Sequence, residues 1–142
     1  GVMHSEFNAS REEQVHFLQI WIAPDRKGVV PRYQQRHFTA DEKRGRLRLI
    51  ISPDGADDSL SVYQDAQVYA GLFDGDERQA LPIAAGRYAY VHVAQGSLDL
   101  NGERLEAGDG ARLRDPGDVQ LSGGRGAEVL LFDLRPNELP SY

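Results

Sequence analysis

The sequence predicts an all-β sandwich or barrel, and three observations carry that prediction. From Leu47 onward the apolar residues gather in short runs rich in Val, Ile, Leu and Tyr. Turn-forming residues fill every gap between those runs. No stretch of about eleven residues sustains a 3.6-residue apolar period, so no long amphipathic helix is expected. With 142 residues and 40% hydrophobic content, one compact domain with its own core is the default.

Taken in chain order, residues 15–23 read as the first strand. His16, Leu18, Ile20 and Ile22 share one face, and Val15, Phe17, Gln19 and Trp21 share the other. Both faces are largely apolar, which suits a strand covered on both sides or covered by a partner domain. Residues 24–31 read as a loop and residues 33–38 as a short extended stretch. Residues 39–45, with four charges among seven, hold one helical turn under a Thr39 cap or serve as a linker.

Strands are then expected at 47–51, 60–64, 66–73, 79–83, 88–94, 97–100, 111–114, 119–121 and 128–133. The turns between them are Pro53-Asp54-Gly55, Asp74-Gly75, Gln95-Gly96, Asn101-Gly102, Gly108-Asp109-Gly110, Asp115-Pro116-Gly117 and Gly123-Gly124. Residues 135–142, with two prolines, form a tail.

Composition removes several function classes. The chain has 16 Lys plus Arg against 22 Asp plus Glu, a formal charge of −6, so the cationic surplus that neutralises phosphates is missing. No nucleic-acid partner is expected. The absence of cysteine excludes disulfides, thiolate catalysis and cysteine-ligated zinc, and suits a reducing compartment. The apolar runs fall far short of the roughly 20 residues that span a bilayer, and no basic-then-apolar leader opens the sequence. The expectation is a cytoplasmic protein with no membrane partner.

Two groups of residues carry a resemblance. Gly96-Ser97-Leu98-Asp99-Leu100-Asn101-Gly102, then Leu105-Glu106-Ala107-Gly108-Asp109-Gly110, then Asp115-Pro116-Gly117-Asp118, resemble the second half of a cupin. Near the start, His4-Ser5-Glu6, Gln19-Ile20-Trp21-Ile22 and Pro31-Arg32-Tyr33 with the segment running on to Phe38 resemble the pirin-like bicupin family. The resemblance covers essentially the whole chain. It implies a cupin-type double-stranded β-helix, that is, a jelly-roll barrel.

It also implies an organisation. Residues 1–38 would be the tail and closing strand of a truncated first cupin, 39–45 a linker, 46–135 the carboxyl-terminal cupin domain and 136–142 a tail. Members with both halves bind iron or a similar metal in the first cupin. Some oxidise flavonols such as quercetin with dioxygen, and others act as transcriptional cofactors.

His4 and Glu6 are two residues apart, so on a strand they project from one face and converge on one ion. An imidazole and a carboxylate suit a divalent first-row metal such as iron, nickel, copper or zinc. By the resemblance these positions match two of four family ligands. The other two, an upstream histidine pair, have no counterpart in the chain, so the pair is read as an unfilled remnant or, alternatively, as part of a site completed in trans. The expected module is therefore not catalytic by itself, and the alternatives are the carboxyl-terminal portion of a quercetin 2,3-dioxygenase-like oxygenase or a cofactor-type interaction module.

The second cupin shows no histidine where its own ligands would fall, around Val62 to Gln67 and after Pro116-Gly117. His92 is read as a strand histidine, not a ligand, and His16 and His37 likewise. A Ser-His-Asp set lacks a nucleophile elbow. Asp54, Asp57 and Asp58, like Asp74, Asp76 and Glu77, lack calcium-loop spacing and read as solvated turns. An unpaired, two-sided apolar strand is an association hazard, so residues 15–23 are expected to dock on the barrel or to pair with another copy. The partners expected are a second copy through that strand, or a separate chain carrying the missing cupin.

Overall fold

The computed structural model describes residues 3–136, and its first regular element starts at Ala40. Thr39 caps that element, a single helical turn α1 (Ala40–Lys43). The Thr39 hydroxyl accepts the Glu42 N–H, and the Glu42 carboxylate takes the Thr39 N–H at 2.7 Å. This reciprocal capping satisfies amides that so short a turn would otherwise leave open. Of the two expectations for this segment, the capped turn is what forms.

Eight strands follow: β1 (Leu47–Ser52), β2 (Leu60–Ser61), β3 (Ala66–Phe73), β4 (Gln79–Pro82), β5 (Tyr88–Leu100), β6 (Glu103–Glu106), β7 (Gly110–Arg114) and β8 (Asp118–Leu134). Apart from β1–β2, all the pairings are antiparallel. They run in the order β2-β1-β3-β8-β5-β6, with β4 also on β8 and β7 also on β5. No helix of the described residues is long and apolar enough to cross a membrane.

The long strands β5 and β8 each serve two layers. The first half of β5 pairs with β7 and with the last third of β8, whereas its second half pairs with β6 and with the middle of β8. Strand β8 in turn gives its start to β4 and its end to β3. The two layers close over one core of Phe73, Ile83, Ala89, Val91, Val93, Leu98, Leu100, Val119, Leu121, Val129 and Leu131. Alternation along each strand sends these side chains inward, which is the period-2 signal the sequence carried.

Two expected turns are corners inside strands. Gln95-Gly96 and Gly123-Gly124 do not end strands; the β5–β8 register slips between Val93 and Asp99, so strands expected at 88–94 and 97–100 are one, as are those at 119–121 and 128–133. Glycine permits both a turn and a bulge, and only the facing strand decides between them. At Asn101-Gly102 the turn is real, with φ of 49° and 89° as a tight hairpin requires. It leads into β6, a strand the sequence reading missed because its Glu-Arg-Leu-Glu run has one apolar residue.

Residues 15–23 correct another expectation. They form no strand, and Val15, Phe17 and Trp21 remain 56%, 58% and 87% exposed. An apolar extended run becomes a strand only when a neighbouring backbone takes up its ladder, and none does so here. Similarly, the strand expected at 60–64 stops at Ser61. The last residues of the expected tail, 137–142, lie outside the described residues.

Candidate functional site

Apart from Phe73, the interior of the barrel is aliphatic. Val91, Val93, Val119, Val129 and Leu131 are completely buried there, and the buried polar residues among those described are Ser52 and Ser97 alone. Val119 and Leu121, which follow the Pro116-Gly117 turn after which the resemblance implies a late ligand, point into this core. His92 lies on the opposite side of β5 from Val91 and Val93, on the outer face with Tyr88 and Tyr90. It does not face the core.

His4 and Glu6 do come together. The His4 Nε2 atom is 3.7 Å from Glu6 Oε1, with side chains 60% and 52% exposed. A nitrogen and an oxygen donor at this separation can grip a divalent ion from one side. Yet no group of three or more His, Cys, Asp or Glu able to hold a metal occurs among the described residues. Two exposed donors lack the convergence and the supporting contacts that fix a metal's geometry. Among the described residues, His4 and Glu6 are therefore two donors without a third. His16 lies elsewhere, with Nδ1 3.3 Å from Gln95 Nε2.

The arm formed by residues 18–25 passes over the outer face of β5, β7 and β8, leaving an open cleft of about 960 Å³ between them. Its floor carries Tyr88, Tyr90, His92, Arg112 and Phe132, and its rim carries Trp21. The Tyr90 and Phe132 rings meet at 5.8 Å and 49°. The far end of the arm is fastened: Gln64 Nε2 donates to Ala23 O at 2.8 Å, and Asp25 N donates to Tyr63 O at 2.7 Å.

Charged groups around the barrel act as fasteners. Arg87, at the start of β5, reaches Asp133 of β8 at 2.6 Å and Asp65 at 2.9 Å. Burial alone would lower its pKa, but the hydrogen bonds to Asp65 and Asp133 outweigh burial and raise it above the ordinary value. Burial pushes the Tyr69 hydroxyl up, reinforced by the Asp133 and Asp57 charges. Asp54 is held below the usual carboxylate range by the Ala56 N–H and the Ser52 hydroxyl. That hydroxyl also meets Ser59 Oγ at 2.8 Å and takes the Gly55 and Ala56 amides. The Asp54 to Asp58 cluster is thus a turn knitted to buried Ser52.

Residues 49–134 match the family described as the quercetinase C-terminal cupin domain. The chain belongs to the pirin-like quercetinase family. It is 39% identical over 136 residues to a quercetin 2,3-dioxygenase of Escherichia coli K12, covering 96% of this chain and 58% of that protein. A pirin-like protein of Caulobacter vibrioides is 29% identical over 134 residues, with 94% and 57% covered. Among solved structures, YhhW from Escherichia coli superposes with a TM-score of 0.76 at 36% identity, over 84% of this chain and 50% of that one. The same bacterial pirin in complex with nickel(II) gives 0.74, over 80% and 48%. The chain therefore spans about half the length of these pirin-like relatives.

The cupin fold that the resemblance implied is the fold observed. What sequence reasoning missed is the set of long-range polar fasteners. Arg87 with Asp65 and Asp133, and Gln34 with Ser61, join residues 22 to 46 positions apart. No local pattern announces such a pair.

Proposed function

We propose that this chain is a pirin-related cupin module that is not catalytic by itself, its barrel acting as a scaffold and docking body. The observation that carries this reading is the aliphatic interior, where Val91, Val93, Val119, Val129 and Leu131 occupy the space a reaction chamber would need. In this reading residues 1–38 belong to a first cupin, 46–135 form the second and 39–45 link them. The partners are a second copy meeting residues 15–23, or a separate chain carrying the rest of the first cupin.

The His4–Glu6 pair favours a second reading. The chain would then be the carboxyl-terminal portion of a quercetin 2,3-dioxygenase-like oxygenase, as the name of the 39% identical relative suggests. His4 and Glu6 would supply two donors to a divalent metal, with the nickel(II) complex of YhhW as a precedent, and the remaining donors would come from outside this chain. Elemental analysis of purified protein, beside the His4→Ala variant, separates the two. Metal-free protein that leaves a flavonol unchanged supports the scaffold reading. Stoichiometric iron, nickel, copper or zinc that disappears with His4→Ala would overturn it.

A further inference from the structure

Strand β2 lies at the end of the sheet order, with β1 on one side and, among the described residues, no strand on the other. Such an edge normally presents bare amides and carbonyls to any passing strand. Just past β2 the Val62 N–H turns inward to Ser52 O at 3.0 Å, so the backbone groups of Ser61 and Tyr63 turn outward. The outward groups are taken by residues from before the barrel. Gln34 mimics a strand with its side-chain amide: Nε2 donates to Ser61 O at 2.9 Å, and Oε1 accepts the Ser61 N–H at 3.2 Å.

Neighbouring residues continue the seal. Arg32 adds a second donor to Ser61 O at 2.9 Å while its guanidinium lies 4.3 Å from the centre of the Tyr63 ring. Asp25 N occupies Tyr63 O at 2.7 Å, and Arg36 binds Asp58 O at 2.6 Å just before β2. Together these contacts take up Ser61 N and O, Tyr63 O and Asp58 O along this edge.

We propose that residues 23–38 are a latch that closes the free edge of the barrel at β2 and keeps it from accepting a strand of a second copy. The latch acts at the β2 edge, apart from the exposed Val15, Phe17 and Trp21 side chains through which residues 15–23 would associate. Its test is hydrogen exchange of the Ser61 amide together with sedimentation velocity on the wild-type chain, Gln34→Ala and Gln34→Glu. Gln34→Glu keeps the acceptor but removes the donor, with little change in size.

Exchange at Ser61 is expected to accelerate about tenfold in Gln34→Ala, the loss of roughly one net hydrogen bond. Self-association should rise relative to wild type, with Gln34→Glu intermediate in exchange. Unchanged Ser61 exchange in both variants would overturn the proposal. So would faster exchange with an unaltered sedimentation profile, because the edge would then be open and still inert.

Discussion

A β-carbon on Gly96 would collide with the carbonyl oxygens of both Arg125 and Gly126, on a residue whose φ is +65°. Both the backbone conformation and the close approach of β8 exclude a side chain there. Gly96→Ala is therefore expected to cost about 2–4 kcal/mol, combining left-handed strain with overpacking. Urea unfolding of the variant measures this, and an unchanged midpoint would show that the corner tolerates a side chain. The sequence displays the glycine but not its reason, since Gln95-Gly96 reads equally well as a hairpin turn. Residue identity limits the backbone to a few conformations, and the approaching strand selects among them.

At the scale of elements, α1 shows how local chemistry can be read directly. Thr39 followed three residues later by Glu42 is a capping pair, and it forms as such. The Thr39 backbone N–H, then its hydroxyl, then the Arg36 and Arg48 charges hold the Glu42 carboxyl below its ordinary value. A carboxyl depressed in the folded state stabilises fully above its unfolded pKa, and that contribution is lost as pH falls through the folded value. Acidification is thus expected to fray α1 while the barrel persists. Glu42→Gln should remove the pH dependence of the α1 amide shifts, followed by NMR from about pH 6 to pH 2. Equal acid sensitivity in both proteins would dissociate Glu42 from the cap.

The strands divide along the same line. Strand β3 occurs at the expected 66–73 because its apolar alternation is strong and Ala66 and Phe73 adjoin turns. Residues 15–23 carry a pattern as apolar, yet remain outside the sheets. Pattern reports what a segment can bury, and pairing depends on a backbone supplied from elsewhere.

For the whole molecule, the strands pack around one core while the arm before them remains largely exposed. Trp21 is the one tryptophan of the chain and is 87% exposed, so its emission reports the arm and not the core. In dilute solution its emission should be red, as for a water-exposed indole. If copies associate through residues 15–23, as the proposed function holds, the emission shifts to the blue with increasing protein concentration. A red emission independent of concentration would remove this segment as the contact. The measurement does not depend on the β2 edge, and so it distinguishes the arm from the latch.

By itself the sequence determined the all-β class, the family, the hairpin at Asn101-Gly102 and the lack of histidines where the second cupin would place ligands. These follow from alternation, turn chemistry and residue type, which act within a few positions along the chain. Only the tertiary structure decided that β5 and β8 are continuous and shared by two layers, that residues 15–23 lie outside the sheets, and that Gln34 closes the edge at β2. It also decided that His4 and Glu6 meet without a third ligand group among the described residues. Each of these depends on which distant backbone or side chain satisfies a given donor, and local sequence does not encode that partner.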